Sequence, residues 1–275
     1  MNDVTITNAG QYGLPELADI FTRSFEGYFY AGTTTADELA QRIRVEQIDL
    51  WASCVLLADD EPAGVALLAR RASRVWCGGF GVYSAYRGRG YSHRLAAAML
   101  DAARRVGGRS FELEVLTRND RALRTYEQAG MRSRRELYVH RWDRADQEAV
   151  PATAELVDQA EPYELLQYFQ ALHPVPAAWQ RDLPSLLVRE NLRGLVFRPD
   201  GEVRGYVLYS GDEQVRLHDI AATDAGVARR LLRALQRRSR VIVSINEPSD
   251  STLTAAFAAT GFSEADRQYD LAVQL

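Results

Sequence analysis

The chain has 275 residues, a formal net charge of -4 and 47% hydrophobic residues, which suits one large or two modest globular domains. All 33 basic residues are arginine. The absence of lysine excludes Walker-type nucleotide hydrolases, protein kinases and Schiff-base enzymes, because each of these classes needs a lysine.

Metal, disulfide and membrane signals are also missing. Cys54 and Cys77 each lie inside an apolar run without a histidine at zinc-ligand spacing, and the histidines are scattered singly. The N-terminus lacks a basic region followed by an apolar core, and the apolar stretches fall short of the roughly 20 residues that a membrane span needs. We therefore expect a cytoplasmic protein with no metal site and no membrane partner.

The first part of the chain predicts two helices followed by an antiparallel meander. Apolar residues from Leu14 to Phe25 recur at helical spacing, which predicts an amphipathic helix over residues 14–26. Thr35 and Glu38 have the spacing of a capping box and predict the start of a second helix. Runs of strand-forming residues follow at 52–58, 63–70 and 74–82.

A glycine-rich turn then opens another helix. The sequence from Tyr86 to Ser92 reads Tyr-Arg-Gly-Arg-Gly-Tyr-Ser and precedes an apolar face that runs from Leu95 to Val106. Main-chain N–H groups at such a helix start can bind phosphate oxygens, although an ordinary strand-to-helix turn has the same composition. The pattern continues with a strand at 111–115, a helix at 119–129 and a strand at 133–141.

Residues 81–131 resemble the GCN5-related N-acetyltransferase (GNAT) family. Arg87, Gly90 and Ser92 match its motif R/Q-x-x-G-x-G/A, with serine in the last position. The second motif, L-E-V-x-x-x-N-x-x-A-x-x-x-Y-x-x-x-G-F, is matched by residues 113–131, with methionine at the final position. The resemblance implies an α/β (α+β) fold with a mixed, mostly antiparallel central sheet flanked by helices.

The resemblance also implies that acetyl-CoA is a co-substrate. Nine arginines face four acidic residues between Arg87 and Arg124, which favours binding of its phosphates, while the net negative charge elsewhere argues against a nucleic-acid partner. By resemblance, the main chain at Val82 binds the pantetheine arm and the thioester carbonyl. The full set of expected coenzyme-binding residues is Val82, Arg87, Gly88, Arg89, Gly90, Tyr91, Ser92, Asn119 and Tyr126.

Two residues are candidates for proton transfer. Tyr126 takes the family's general-acid position, from which a phenol protonates the departing thiolate. Glu114 lies twelve residues earlier on the preceding strand and is the preferred general base; ordered water is the alternative, and Glu112, on the same side of the strand, is the reserve candidate.

The acceptor side is expected in the segment that joins the first two helices. By resemblance, residues 25–30 overhang the acceptor pocket, and Glu26, Tyr28 and Tyr30 suggest a primary amine on a partly apolar body. The alternative is that these aromatic residues only pack on the domain surface.

From about residue 151 the order of elements starts again, which indicates an internal repeat. Gly130 and Gly261 are 131 residues apart, and the same offset pairs Tyr126 with Phe257 and Asn119 with Asp250. We expect two tandem GNAT-like domains, 1–146 and 151–275. The second domain is predicted to lack acetyl-CoA binding, because Phe257 has no hydroxyl and its loop at 221–226 is acidic, and to complete the acceptor cleft or cover sheet edges.

The sequence therefore predicts an N-acetyltransferase that transfers acetyl from acetyl-CoA to a primary amine by direct attack in a ternary complex. The acceptor can be a small molecule or a peptide, including the N-terminus of a protein. A non-catalytic acyl-CoA sensor and a protein-interaction module are the alternatives from other classes. The repeat favours a monomer that contains an intramolecular pseudo-dimer.

Overall fold

The structure is a computed structural model that describes residues 3–30, 32–146 and 157–275. The chain divides into two compact units: Met1–Arg134 together with Asp270–Leu275 form the first, and Arg135–Tyr269 form the second. The predicted linker between the domains 1–146 and 151–275, residues 147–150, lies outside the described residues, so those domain bounds stay a prediction.

The first unit contains the predicted helices and strands and one additional strand at its start. In chain order they are β1 Val4–Asn8, α1 Leu14–Ser24, α2 Ala36–Glu46, β2 Ile48–Ala58, β3 Glu61–Arg71, β4 Arg74–Val82, α3 Tyr91–Arg105, β5 Ser110–Leu116 and α4 Asp120–Gln128. The strand β1 was not predicted. The capping box that Thr35 and Glu38 predict is present in both directions at the start of α2.

The second unit follows the order that the repeat predicts, with one more additional strand, β7. Its elements are β6 Arg132–Asp143, β7 Val157–Ala160, α5 Pro162–Leu165, α6 Phe169–Leu172, α7 Leu183–Leu187, β8 Arg193–Phe197, β9 Gly205–Ser210, β10 Gln214–Ala222, α8 Ala225–Arg238, β11 Val241–Pro248, α9 Thr254–Ala259 and β12 Ser263–Gln274. Two of these strands straddle a unit boundary: β6 begins in the first unit, and the end of β12 belongs to the first unit.

In the first unit the strands are ordered β1-β2-β3-β4-β5, followed by the end of β12. The pairs from β1 to β4 are antiparallel, as the meander predicts, and β4 runs parallel to β5. Residues Ala63 to Ala69 of β3 are all buried. Because successive strand residues point to opposite faces, both faces of this strand are covered, and α1 and α3 pack against it.

The strands β4 and β5 separate partway along their length. Their parallel pairing covers only Arg74–Trp76 and Ser110–Glu112. Directly beyond it, the β3–β4 register skips Gly78, which is a bulge on β4. The rest of β4 therefore has main-chain groups on its β5 side that the sheet does not use, and the split between the two strands can admit a ligand.

In the second unit the strands are ordered β6-β11-β10-β9-β8-β7, with the start of β12 beside β6. The predicted offset of 131 relates α4, with its following turn and β6, to α9, its turn and β12. Gly130 and Gly261 both have positive φ, 92° and 80°. The N–H of Met131 donates to Tyr126 and the N–H of Phe262 to Phe257, both at 3.0 Å. The tandem repeat is thus confirmed in backbone detail.

No helix in the described ranges combines the length and the apolar character needed to cross a membrane.

Candidate active site

The first unit contains an open cavity of about 870 Å³ beside the split between β4 and β5. Its wall includes the end of β4, the glycine-rich turn, the start of α4 and the segment that follows α1. The lining residues are Ser24, Phe25, Gly27, Tyr28, Phe29, Phe80, Gly81, Val82, Tyr86, Arg87, Gly88, Ser92, His93, Arg118, Asn119, Asp120, Arg121, Ala122, Arg124, Thr125 and Gln128.

The glycine-rich turn presents bare main chain to the solvent. Gly88 and Gly90 have φ values of 75° and 79°, and a Cβ atom built on either residue would meet no heavy atom within 4 Å. Within the described part of the chain, the N–H groups from Gly88 to Ser92 donate to no protein acceptor. These groups lie at the positive end of α3, so the turn can bind a diphosphate.

The side chain of Arg87, which lines the cavity, also makes hydrogen bonds within the protein. Its guanidinium donates to the carbonyl oxygen of Val82 at 2.9 Å and to that of Glu26 at 2.6 Å. Arg87 therefore ties the segment after α1 to the end of β4. Arg89 and Tyr91 lie against the ring of Tyr86, so they are placed to serve a ligand through their main chains.

The N–H of Val82 points into the split. Hydrogen bonding alternates along an antiparallel pair, and the next residue, Tyr83, donates its N–H to Ala63 of β3 at 2.8 Å. The N–H of Val82 therefore points away from β3, on a residue that lines the cavity. In this orientation the N–H of Val82 can donate a hydrogen bond to a carbonyl oxygen of a ligand in the split.

Tyr126 lies behind the cavity wall. Its ring is buried and packs edge-on against Phe80, with the centroids 5.4 Å apart. Burial, together with the nearby Cys77 thiol and Tyr28 hydroxyl, raises the pKa of Tyr126 well above its ordinary value of 10.0. The phenol is therefore protonated at neutral pH, and its hydroxyl has no hydrogen-bond partner among the described residues.

Glu114 does not line the cavity in the described part of the chain. It is partly buried on β5, where one carboxylate oxygen accepts a hydrogen bond from Nε1 of Trp76 at 2.8 Å. Burial, followed by the charge of Asp270, raises the pKa of Glu114 to about 8, although the Trp76 hydrogen bond lowers it. The structure thus provides a carboxyl group that titrates near neutral pH at a position set back from the cavity.

Glu112, the reserve candidate for the base, is engaged elsewhere. It is buried, and its two oxygens pair with Arg74 at 2.6 Å and Arg134 at 2.8 Å. Both carboxylate oxygens are thus held in ion pairs within the first unit. Glu112 therefore has a structural role.

Asn119 caps α4, as the sequence predicts, because its side chain accepts a hydrogen bond from the N–H of Ala122 at 3.3 Å. It also lines the cavity. The position of Asn119 thus allows both expected roles, helix capping and ligand contact.

The acceptor segment contributes Tyr28 to the cavity wall, and also Phe25 and Phe29, which lie in the predicted segment but were not among the named candidates. Tyr30 is exposed, and the carboxylate of Glu26 accepts a hydrogen bond from Ser84 at 2.6 Å; neither residue belongs to the lining in the described part of the chain.

Arg118 lines the cavity and was not among the predicted residues. Its guanidinium carbon lies 4.7 Å from the ring centroid of Phe29 and 5.7 Å from that of Tyr30. Its only sequence signal is its place directly before Asn119.

The lining is basic. Its described arginines are Arg87, Arg118, Arg121 and Arg124, whereas Asp120 is its one described carboxylate residue. Clustered arginines attract and hold phosphate groups. Within the described residues, no group of three or more histidine, cysteine, aspartate or glutamate side chains could hold a metal ion, and Cys54 and Cys77 are buried without a disulfide.

The matching places in the second unit are occupied by the protein itself. At the start of α8, Asp224 accepts hydrogen bonds from the N–H groups of Gly226 at 2.7 Å and Val227 at 3.0 Å. Phe257, the counterpart of Tyr126, stacks on His140 with the centroids 4.3 Å apart. The helix start that matches the open glycine-rich turn of the first unit is thus capped by a carboxylate in the second unit.

A buried arginine also fills the strand split of the second unit. The parallel pairing of β10 with β11 ends at Leu217 and Ser244. Beyond it, the guanidinium of Arg181 donates to Ser244 and Ile245, and pairs with Glu247 at 2.6 Å. A pantetheine arm could enter only by displacing this guanidinium. Both observations support the prediction that the second domain does not bind acetyl-CoA.

Comparisons with known proteins agree with this geometry. Residues 14–131 match the Acetyltransferase (GNAT) family. The Uncharacterized N-acetyltransferase YycN of Bacillus subtilis is 45% identical over 51 residues, which cover 18% of this chain and 33% of that relative. The match thus spans about a third of the length of this curated relative.

The structural neighbours cover nearly the whole chain. A GCN5-related N-acetyltransferase from Sphaerobacter thermophilus superposes with a TM-score of 0.71 at 17% identity, covering 98% of this chain and 95% of the other. A tandem GNAT protein from the clavulanic acid biosynthesis pathway gives a TM-score of 0.69 at 15% identity and covers 99% and 98%. Residues 14–131 therefore belong to the GNAT acetyltransferase family, within a chain that has the fold of tandem GNAT proteins.

Proposed function

We propose that the protein is an N-acetyltransferase that transfers acetyl from acetyl-CoA to a primary amine by direct attack in a ternary complex. The observation that carries the proposal is the row of N–H groups from Gly88 to Ser92, which lack protein acceptors in the described chain and lie at the start of α3. Tyr126 packs against Phe80 of β4, which lines the same cavity as the turn. We place the catalytic work in residues 1–146 and assign no acetyl transfer to residues 151–275.

The residues have distinct roles in this proposal. The glycine-rich turn holds the diphosphate, with Arg121 and Arg124 on the wall of the same cavity. The N–H of Val82 donates to the thioester oxygen, so that negative charge developing there during attack is stabilised. Bond formation between the amine nitrogen and the acetyl carbon is followed by loss of the thiolate, to which Tyr126 donates its proton.

The amine must lose a proton as it attacks. Glu114 has a suitable pKa of about 8, but it does not line the cavity in the described chain. We therefore propose that water carries the proton from the amine to Glu114. A general base with a pKa near the working pH is effective in such a step.

Replacing Tyr126 with phenylalanine tests the enzyme against the coenzyme-sensor alternative. Tyr83→Phe is a matched control, because Tyr83 is 4% exposed like Tyr126 and its buried hydroxyl also has no partner among the described residues. Acetyl-CoA binding is measured by isothermal titration, and turnover by thiol release in the presence of amine acceptors. We expect Tyr126→Phe to keep binding and to lose about 100-fold or more in kcat, while Tyr83→Phe keeps both.

Two results would contradict the proposal. If the wild-type protein bound acetyl-CoA but none of the tested amines led to thiol release, the protein would be a sensor. If it bound no acetyl-CoA, an interaction module would be favoured. The acceptor screen covers amino acids, polyamines, aminoglycosides and N-terminal peptides, so a protein N-terminal acetyltransferase would be recognised by its preference for peptides.

The expected monomer, the cytoplasmic location and the absence of a nucleic-acid partner stay predictions.

A further inference from the structure

We propose that the acceptor is an amine that also carries a carboxylate on an apolar body, as an apolar α-amino acid does, and that Arg118 binds this carboxylate. The inference rests on the proposed acetyltransferase function and concerns the acceptor end of the same cavity. It is drawn from the charges of the lining residues and from the way in which Arg118 is held.

Arg118 belongs to the acceptor end of the cavity. It lies in the short connection between β5 and α4, and its guanidinium lies over the rings of Phe29 and Tyr30 in the segment that follows α1. Stacking on aromatic rings restricts the side chain while its charge is kept. A guanidinium is planar and can bind a carboxylate with two parallel hydrogen bonds, so a held arginine is a specific receptor for that group.

Among the described lining residues, none from the end of α1 or the segment after it carries a carboxylate that would attract a polycation. These lining residues are Ser24, the last residue of α1, followed by Phe25, Gly27, Tyr28 and Phe29. Glu26, which the sequence analysis placed on this side, is turned to Ser84. Asp120, the carboxylate residue in the described lining, lies in the first turn of α4, where the helix dipole stabilises it. Polyamines and aminoglycosides would therefore meet a cation and aromatic rings at this end.

The same surroundings indicate the rest of the acceptor. Phe25, Tyr28 and Phe29 form a run of edge-to-face contacts, with ring centroids 5.4 and 5.3 Å apart. This run offers apolar contact area beside the guanidinium. An amine with a neighbouring carboxylate and an apolar side chain would match both features at once.

Matched pairs of amines test the inference. Phenylalanine and phenethylamine share the ring and the amine and differ in the carboxylate; leucine and isoamylamine form a second pair, and spermidine and an aminoglycoside represent polycations. Thiol release from acetyl-CoA gives kcat/KM for each amine. We expect the carboxylate member of a pair to be preferred by about 100-fold, because a site built for a charged group discriminates strongly against an analogue that lacks it.

Arg118→Gln should bring the preference for the carboxylate member close to one, with acetyl-CoA binding retained in isothermal titration. Arg104→Gln is the control: Arg104 is an exposed arginine on α3 that pairs with Asp101, and this variant should keep the wild-type preference. Equal turnover within the pairs, a preference for spermidine or the aminoglycoside, or an unchanged preference in Arg118→Gln would overturn the inference while acetyl transfer stands. If none of the tested amines led to thiol release, the proposed function itself would be overturned.

Discussion

Replacing Glu114 with glutamine should stabilise the protein at alkaline pH, although the variant loses the proposed base. Burial holds the pKa of Glu114 at about 8, against an ordinary value of 4.5. Between these two values the folded chain holds a proton that the unfolded chain has released. The stability of the wild type therefore falls as the pH rises through this window, and glutamine, which does not titrate, removes the effect.

The size of the effect follows from the difference between the two pKa values. At about 1.4 kcal/mol for each pKa unit, the full difference corresponds to at most about 5 kcal/mol. Most of the window lies between pH values of about 5 and 9, so the stability difference between Glu114→Gln and wild type should change by about 4 kcal/mol over this range. That change is a large part of the stability of a typical domain.

Urea unfolding of both proteins at the two pH values, extrapolated to water, measures this difference. Glu112→Gln is a control on the same strand: it breaks pairs with Arg74 and Arg134 and should destabilise the protein at neutral pH. The pH profile of turnover should also lose its rise near pH 8 in Glu114→Gln. If the stability of Glu114→Gln kept a constant distance from that of the wild type at both pH values, Glu114 would titrate as an ordinary carboxyl group and the argument for it as the base would fail.

Two further predictions concern the glycine-rich turn and the residues that complete the first unit. Gly90→Glu should abolish acetyl-CoA binding in isothermal titration. Gly107→Glu is the control: Gly107 is also open to solvent and has a φ of 78°, against 79° at Gly90, so this variant should carry the same backbone strain and keep binding. Equal losses of binding in the two variants would show that the turn does not hold the phosphates. Deleting residues 270–275 removes the buried Leu271 and Asp270, which pairs with Arg134 alongside Glu112, so the melting temperature and thiol release should both fall; an unchanged thermal transition would contradict this role.

The elements that could be predicted from the sequence are those with a local signal. The capping box of α2 predicts its first residue, and the run of strand formers predicts β4 from Arg74 to Val82 with the bounds that the structure has. The offset of 131 relates the two repeats because turn glycines such as Gly130 and Gly261 need positive φ. By contrast, β1 and β7 are short and mostly lack buried residues, so the alternation that marks a strand is absent.

The features of the candidate site can likewise be separated into those with a local sequence signal and those without one. The glycine-rich turn is visible in the sequence because the lack of side chains is itself the functional feature. Other features of the site depend on contacts between residues far apart in the chain. Arg87 donates to the carbonyl oxygen of Glu26, Arg118 stacks on Phe29, and the buried Arg181 donates to Ser244. No local pattern encodes such contacts, so they are visible only once the chain has folded.

The division of the chain into units also bears on how the protein is made. The second unit, Arg135–Tyr269, is encoded as one uninterrupted stretch, whereas the first unit needs Asp270–Leu275 in addition to Met1–Arg134. Domains usually fold in the order in which the ribosome delivers them. Here the later unit has all of its residues first, and the earlier unit must wait with an unpaired β5 edge until residues 270–275 have left the exit tunnel. A nascent chain stalled shortly before that point would be a substrate for chaperones.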